Sequence, residues 1–383
     1  MTETADVVIV GGGVIGLSIA YNLTRSGAGR VVVCERSNWL GSGSTGRCGA
    51  GVRQQWGTEM NCRLAKASIE WFERAEAELD YPDGIEFKQQ GYLILAFTAQ
   101  QVEQFRRNVT LQRSLGIDSH CLAPAECRDI VPYLDTTNLM GGTFCGKDGH
   151  INPFRALDAY ARAATRGGAD IRKGCAVTGI ELEGGRVVGV VTSLGPISTP
   201  VVVNAAGPWS QVVAAMAGVE LPVYSERHQI LVTEPVAPAQ GPMVISFYHG
   251  FYCQQTPHGS FIMGLGDARE PKGFDTGHSW TFLEEVAQTA LELLPYLASA
   301  RVVRQWSGLY NLTPDRQPIL GPVAGVIGLY LAVGFSGHGF MLAPVTGEII
   351  AGLITGAEVP VDVRPLNLDR FDRGALIIEP SVV

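Results

Sequence analysis

The order of elements in residues 6–36 constrains the fold more than any other feature of this chain. Residues 6–10 form a short apolar run rich in β-branched side chains, which is typical of a strand buried on both faces of a parallel sheet. Gly11, Gly13 and Gly16 follow with G-x-G-x-x-G spacing at the turn into a helix. In such a turn the first glycine permits the tight bend, the second lets a pyrophosphate approach the backbone, and the third lets the helix pack on the strand. The spacing therefore predicts a phosphate-binding turn.

The second half of this stretch supplies the other parts of a dinucleotide site. The helix begins at Val14 and Ile15, where free amides and the positive end of the helix dipole attract an anion. A second apolar strand, residues 31–34, leads to Glu35, whose carboxylate can accept the hydroxyl hydrogens of a ribose, with Arg36 beside it. The complete order favours dinucleotide binding over a chance glycine-rich turn. The acid also argues against a ribose 2′-phosphate, and so against NADP.

Composition and charge narrow the class of protein. The chain has 383 residues, 46% hydrophobic and 17% charged, so we expect two domains with a sizeable interior. The net charge of −8 is spread without a basic stripe, which disfavours nucleic acid as a partner. The eight cysteines show neither a C-x-x-C pair nor a metal spacing with histidine, which indicates reduced thiols and no metal site. We also expect no secretory leader, because acidic residues open the chain, and hence a soluble, cytoplasmic protein.

The rest of the chain predicts an α/β fold in two parts. Residues 326–353 are apolar, but glycines and a proline interrupt them, so we expect a strand, a turn and a helix instead of a membrane span. Short alternating strands between residues 221 and 306 predict an antiparallel sheet. We expect a discontinuous Rossmann-like dinucleotide-binding domain and an antiparallel-sheet α+β substrate domain. Their expected boundaries are residues 1–86, 147–220 and 316–383 for the first, and 87–146 and 221–315 for the second.

Four segments together carry a resemblance to a known family. They are VVIVGGGVIGLSIAYNL with Glu35, GSTGRCGAGVRQQWG at residues 43–57, TPDRQPILG at 313–321, and GFSGHGFMLAPVTGE at 334–348. This pattern resembles the flavin amine oxidoreductases related to D-amino-acid oxidase, and within them the sarcosine oxidase and L-proline dehydrogenase β-subunit type. The resemblance covers nearly the whole chain. It implies FAD as cofactor and oxidation of a secondary or N-substituted amino acid to an imine, by hydride transfer to flavin N5.

The resemblance also implies where the flavin binds. The GFSGHGF turn follows a strand and opens a helix, so its amides can face the N1–C2=O edge of the flavin, where negative charge builds on reduction. The alternative is an ordinary glycine turn with a satisfied histidine. Besides the dinucleotide residues above, the expected cofactor contacts are Ser42, Ser44, Thr45, Arg47, Cys48, Val177, Ala206, Gly207, Trp209, Gly308, Gly337, His338, Gly339, Phe340 and Met341.

Five residues are candidates for contact with the reacting amine. Arg53 lies in the loop where related oxidases place an arginine that binds the substrate carboxylate, although a loop arginine is also an ordinary surface group. Arg47, in the same loop, is the weaker candidate for this role. Tyr252 and His249 are expected near the substrate, with simple packing as the alternative, and His338 joins them if its ring faces the flavin.

The chain departs from the monomeric sarcosine oxidases at positions that bear on the electron acceptor. Gly308 stands where those enzymes have the cysteine that attaches flavin, so FAD should be noncovalent. Met341 replaces a lysine, and residues 260–267 contain no lysine that could help activate oxygen. These departures favour a dehydrogenase that passes electrons to an alpha subunit, an electron-transfer partner or a dye. The alternatives are an oxygen-using D-amino-acid or glycine oxidase, and a flavin subunit inactive without its partner.

A second flavin would require a partner subunit. The β-subunits of heterotetrameric sarcosine oxidase carry a histidine-linked FMN, and His150 lies near the corresponding region, residues 147–152. We expect His150 to be a solvent-exposed histidine, and FMN to bind only together with such a subunit.

Overall fold

The computed structural model describes residues 3–380. The strands, in chain order, are β1 (Glu3–Thr4), β2 (Val7–Val10), β3 (Val31–Glu35), β4 (Gly51–Val52), β5 (Tyr92–Ala96), β6 (Ser119–Leu122), β7 (Gly141–Cys145), β8 (Gly149–His150), β9 (Asp170–Lys173), β10 (Val177–Glu183), β11 (Arg186–Thr192), β12 (Gly195–Ser198), β13 (Val202–Asn204), β14 (Tyr224–Pro235), β15 (Met243–Ser246), β16 (Phe251–Gln255), β17 (Ser260–Leu265), β18 (Val302–Leu312), β19 (Ile319–Pro322) and β20 (Leu329–Val333).

The helices lie between these strands. They are α1 (Val14–Arg25), α2 (Glu59–Phe72), α3 (Ala75–Glu78), α4 (Ala99–Ser114), α5 (Pro124–Ile130), α6 (Pro153–Arg166), α7 (Ser210–Ala215), α8 (Trp280–Leu293) and α9 (Ala343–Thr355). Short 3-10 segments occur at Thr45–Arg47, Gly207–Trp209, Pro295–Ser299, Arg364–Leu366 and Leu368–Arg370.

A six-stranded sheet carries the glycine turn. Its strand order is β19-β20-β13-β2-β3-β9, and every neighbouring pair is parallel except β19–β20. Strands β2 and β3 are buried along their whole length, as their continuous apolar runs predict. Helix α1 packs against α6 and α9 on this sheet. The sheet thus takes strands from the N-terminal, middle and C-terminal thirds of the chain.

An eight-stranded sheet forms the second large layer. Its order is β18-β14-β17-β16-β15-β5-β7-β6. The strands between residues 221 and 312 pair antiparallel, as predicted, but β15 joins β5 in parallel, so the whole sheet is mixed. The α/β fold class, with a Rossmann-like part and an α+β part, is confirmed. The domain boundaries given above stay a prediction.

Two smaller sheets complete the fold. Strands β10 and β11 form a hairpin around the Gly184-Gly185 turn, inside a four-stranded sheet of order β1-β12-β11-β10. Strand β4, which ends one residue before Arg53, pairs antiparallel with β8. This short pairing fixes the end of the loop that follows β3.

Several predicted elements need correction. Residues 61–79, whose apolar spacing predicts one amphipathic helix, fall in two helices, because the Arg74 amide bonds to the carbonyl of Trp71, three residues back, and Arg74 has φ −109°. The last helix begins at Ala343 and not at residue 340, so the Gly-His-Gly turn lies just before it. The apolar residues 326–353 form β20, this turn and most of α9, as predicted. Within residues 3–380 no helix is both long and apolar enough to cross a membrane.

Candidate active site

One cavity collects almost all of the predicted site residues. Its lining comes from the glycine turn, the loop after β3, the eight-stranded sheet and the Gly-His-Gly turn. The predicted residues on its wall are Gly11, Gly13, Val14, Ile15, Glu35, Arg36, Ser42, Ser44, Thr45, Arg47, Cys48, Arg53, Val177, Ala206, Gly207, Trp209, Tyr252, Gly308, Gly337, His338, Gly339, Phe340 and Met341. Gly16 is buried and does not line the cavity.

The glycines of the first turn are required by close backbone contacts. Gly11 has φ +115°, and a Cβ there would overlap the carbonyl oxygen of Ala205. A Cβ on Gly16 would overlap the carbonyl oxygen of Gly11, so α1 could not approach β2. At Gly13 the nearest atom to a new Cβ is Thr45 Oγ1, at 3.2 Å. The absence of a side chain at Gly13 therefore keeps the helix start accessible beside Thr45, where a phosphate can approach the backbone.

Glu35 is held rigidly at the end of β3. Its two carboxylate oxygens accept hydrogen bonds from the backbone amides of Gly12 and Ser37, each at 2.8 Å. The side chain is buried and lines the cavity. Each carboxylate oxygen retains acceptor capacity, so the group can also bind ribose hydroxyls.

The loop after β3 is tied to both large sheets. Thr45 Oγ1 accepts from the Val14 amide at 3.1 Å, which joins the loop to the start of α1. The Arg47 guanidinium donates to the Ser307 carbonyl on β18 at 2.9 Å, and the Ser44 hydroxyl donates to another β18 carbonyl at 2.7 Å. Arg47 therefore holds the loop against β18, which agrees with its being the weaker candidate for binding the substrate carboxylate.

An aromatic pair borders the cavity near Glu35. The Arg36 guanidinium carbon lies 3.5 Å from the centroid of a Trp209 ring, and Trp209 stacks on Phe274 at 5.9 Å. Val177 lines the cavity together with Arg36 and Trp209. Trp209 therefore faces the cavity and is not a core tryptophan.

Arg53 is a buried cation on the cavity wall. It is 4% exposed, and its guanidinium carbon lies 3.8 Å from the centroid of the Trp56 ring. Its Nη1 donates to the Gln55 carbonyl at 2.7 Å, and burial lowers the pKa of the guanidinium. A buried guanidinium with a defined direction is suited to binding a carboxylate.

His338 faces the same region. Its ring meets Trp56 edge to face with centroids 5.1 Å apart, and it is 3% exposed. Burial, with the nearby Arg53 charge, lowers the pKa of His338 to about 3, so the ring is neutral at physiological pH. Its Nε2 has no hydrogen-bond partner among the described residues. This atom is available to a ligand.

The cavity has a second wall that was not predicted from the sequence. His228 stacks on Tyr310 with centroids 4.3 Å apart and on Tyr252 at 5.7 Å, and burial lowers its pKa to about 4. Tyr92, Trp56, Met243 and Ile245 also line the cavity. The alternating pattern of β14 could have indicated that His228 faces the cavity, because side chains two residues apart on a strand point to the same side, and both His228 and Ile230 line the cavity.

Two histidines lie elsewhere than expected. His249 is in the turn after β15, where its Nδ1 lies 2.7 Å from Ser246 Oγ, and it does not line the cavity. The expectation that His150 is solvent-exposed is wrong. His150 is 5% exposed because β8 is covered on pairing with β4 and bridging to Lys88, and burial lowers its pKa to about 4.

These residues fit FAD. The glycine cradle accommodates a pyrophosphate, the fixed Glu35 carboxylate accommodates a ribose, and the cavity continues to the buried His338 and Arg53. The His228 and His338 Nε2 atoms, which lack partners within residues 3–380, are polar groups that a bound molecule can satisfy.

Comparison with known proteins gives a consistent result. The model of a family described as FAD dependent oxidoreductase matches residues 6–353. Sarcosine oxidase subunit beta from Arthrobacter sp. is 33% identical over 383 residues, covering 98% of this chain and 93% of that protein. The crystal structure of L-proline dehydrogenase from P. horikoshii superposes with a TM-score of 0.93 at 36% identity, covering 98% of this chain and 100% of that one. Glycine oxidase from Geobacillus kaustophilus has a TM-score of 0.88 at 27% identity, covering 96% and 99%.

Proposed function

Because the chain belongs to the FAD dependent oxidoreductase family and is an FAD enzyme that oxidises amines, we propose that its substrate is a secondary or N-substituted amino acid, which it converts to an imine. Two relatives support this class, since sarcosine oxidase and L-proline dehydrogenase are both named for amino acids with a secondary amine. The imine product would then hydrolyse in water.

The position of Arg53 carries the proposal. Its guanidinium is buried on the wall of the cavity that fits FAD, within a short distance of the neutral His338 and Trp56. A planar guanidinium on this wall can bind a carboxylate through two parallel hydrogen bonds. The site therefore favours amines that carry a carboxylate.

The neighbouring residues determine how the amine binds. Arg53 holds the carboxylate, and the apolar side chains of Met243 and Ile245 exclude water and favour the neutral amine. Tyr252 lines the same wall, and the pKa of its hydroxyl is raised by burial, so it stays protonated and can donate a hydrogen bond. FAD, when bound, supplies the acceptor for the hydride that leaves the α-carbon. No side-chain base is required, since the amine enters without its extra proton.

The cofactor-side residues have a separate role. The glycine turn and Glu35 hold the dinucleotide, and Gly337, Gly339 and Phe340, which lie just before α9, can offer backbone amides to the flavin. The neutral His338 can hydrogen-bond to the flavin or the substrate through Nε2. Gly308 offers no sulfur for covalent attachment, so we propose that FAD is noncovalent.

We further propose that electrons pass to a partner, either an alpha subunit or an electron-transfer protein. Met341 and the lysine-free β17 leave few positive charges for the activation of oxygen. The similarity to a protein named as a beta subunit supports such a partner, and a second flavin, FMN, would bind only with it. An oxygen-using glycine or D-amino-acid oxidase is the second candidate, favoured by the similarity to glycine oxidase. A flavin subunit inactive without its partner is the third.

An anaerobic titration of the purified yellow protein tests the proposal. We expect sarcosine or L-proline to bleach the flavin absorbance, and glycine and D-alanine to leave it unchanged. Bleaching by glycine or D-alanine would favour the oxidase alternative. If no amine reduces the flavin although dithionite does, the chain is inactive alone and the substrate proposal fails for the isolated subunit.

A further inference from the structure

A buried carboxylate lies behind Arg53, outside the cavity wall. Asp148, in the turn between β7 and β8, is 0% exposed and does not line the cavity. Its Oδ1 accepts from the Gln54 amide at 2.8 Å, and its Oδ2 accepts from Gln55 Nε2 at 2.9 Å. One carboxylate therefore holds the two residues that follow Arg53.

The contacts continue from Asp148 to the guanidinium. Gln55 Nε2 also donates to the Tyr92 carbonyl on β5 at 3.0 Å, which fixes the orientation of the side-chain amide. The carbonyl of Gln55 then accepts from Arg53 Nη1 at 2.7 Å. The position of Gln55 thus determines one of the contacts that direct the guanidinium.

The chain cannot easily shift at this point. Strands β4 and β8 pair with Val52 opposite Gly149, which sets Arg53 and Asp148 one residue beyond the pair on each strand. A Cβ on Gly149 would overlap the Lys88 carbonyl, so β8 is tightly packed on its other side. The Asp148 contacts hold Gln54 and Gln55 in the part of this segment that lies directly beyond the strand pair.

We propose that Asp148 is a positioning residue for substrate binding, and that it directs the Arg53 guanidinium toward the carboxylate by holding Gln54 and Gln55. The inference rests on the proposed function and deepens it. Asp148 touches neither the cavity nor a bound amino acid, and it acts through the segment 53–56.

An aspartate is better suited to this role than an asparagine. Two donors, the Gln54 amide and Gln55 Nε2, meet the two oxygens of the carboxylate. Asparagine offers one acceptor oxygen and places an NH₂ group against the second donor. Burial raises the pKa of Asp148 to about 7, while the two donors and Arg53 lower it. These donors and the nearby cation offset part of the cost of burying a carboxylate at this depth.

The test compares Asp148→Asn with Asp158→Asn as a matched control. Asp158 also accepts a side-chain hydrogen bond, from Tyr81 at 2.9 Å, but it lies on α6 and does not line the cavity. Pyrrole-2-carboxylate, a planar carboxylate without an oxidisable α-hydrogen, is titrated against the flavin absorbance. Amide hydrogen exchange of residues 53–57 is measured without ligand.

We expect Asp148→Asn to keep its FAD content, to exchange faster at residues 53–57, and to bind pyrrole-2-carboxylate about tenfold more weakly or worse. Asp158→Asn should match the wild type in all three measurements. Unchanged exchange and affinity in Asp148→Asn would overturn the proposal. Loss of FAD together with the fold would show a structural role and would also overturn it.

A second variant keeps the test decisive if Asp148→Asn is poorly soluble. Gln55→Met removes the same link from its other end, and by itself it should speed exchange at residues 53–57 and weaken the binding of pyrrole-2-carboxylate; where Asp148→Asn is soluble, the two losses of affinity should not add in the double variant. Additive losses would contradict an action through Gln55. If the wild type binds no carboxylate, the proposed substrate class fails, and the exchange measurement alone decides whether Asp148 holds the segment.

Discussion

At the scale of single residues, Arg53 is defined by the groups that fix its direction. The Trp56 ring lies against one side of the guanidinium, and the Gln55 carbonyl accepts from Nη1. Trp56 is itself held, since its Nε1 donates to the Arg53 carbonyl at 3.2 Å and its carbonyl accepts from Gln112 at 2.7 Å. The guanidinium is therefore preorganised, and a carboxylate would bind it with little loss of side-chain entropy.

Replacement of Arg53 tests its assigned role. Arg53→Ala should raise KM for carboxylate-bearing amines by a factor that corresponds to about 2–5 kcal/mol, because a buried charge-assisted contact is lost. Arg53→Lys keeps the charge without the planar fork and should recover only part of the affinity. FAD content should stay near normal in both variants. Loss of flavin with unchanged substrate affinity would instead make Arg53 a cofactor residue.

His338 bears on the reaction with oxygen. If its ring were protonated, it could replace the lysines that this chain lacks, but burial and Arg53 lower its pKa to about 3. A neutral ring supplies no positive charge to stabilise developing negative charge near the flavin. We therefore expect the reduced protein to reoxidise slowly in air-saturated buffer and faster with artificial dyes. Stopped-flow absorbance measures both rates, and reoxidation in air as fast as reduction by the amine would establish an oxidase.

At the scale of elements, two glycines in the turn between β2 and α1 have different roles: Gly16 is needed for the fold, and Gly13 is needed for cofactor binding. Gly16→Ala places a Cβ onto the Gly11 carbonyl and should lower the melting temperature with and without FAD. Gly13→Ala meets Thr45 Oγ1 at 3.2 Å in an ordinary backbone conformation, so the fold should survive while the phosphate approach is blocked. Thermal unfolding and FAD titration of the two variants measure this difference. Equal loss of stability in both would contradict the separation.

The sequence predicted local elements well and the cavity only in part. The first turn, the helix caps and the long loop could be predicted because each depends on neighbours in the chain; the Thr98 hydroxyl, for example, caps α4 by accepting from the Gln101 amide at 3.1 Å. His228 and Tyr92 were missed because they reach the cavity through strand pairings that join distant segments. The exposure of His150 was misjudged for the same reason, since its cover comes from β4 and Lys88.

At the scale of the whole molecule, buried histidines set the response to acid. The pKa values of His150 and His228 fall to about 4 and that of His338 to about 3, against about 6.5 in an unfolded chain. Below pH 6.5 the unfolded state binds more protons at these sites, so they lower the free energy of unfolding as pH falls from 6.5 toward 4. Asp148 has the opposite effect, because its raised pKa lets the folded state bind a proton below pH 7 that the unfolded state does not, and the raised pKa values of Glu226 and Glu348 act in the same sense; Asp148 is, however, one fully buried acid against three buried histidines.

Urea unfolding between pH 8 and pH 5 measures this response. We expect the urea concentration at the unfolding midpoint to fall as the solution becomes acidic. FAD is left out, so that no ligand affects the protonation of His228 and His338. His150→Leu removes a titrating group that lies outside the cavity and should give a shallower dependence on pH. An unchanged slope in that variant would show that His150 does not titrate with a lowered pKa.

The strand order of the six-stranded sheet has a consequence for synthesis of the chain on the ribosome. Strand β2 is made first, but its neighbour β13 ends at residue 204, and β20, which covers β13, ends at residue 333. At about 5–20 residues per second, roughly 15 to 65 s pass before the last of these strands emerges. During that interval an apolar parallel edge is uncovered, so the nascent chain is a natural client for chaperones. The wall of the cofactor cavity is complete only after residues 337–341 have also emerged.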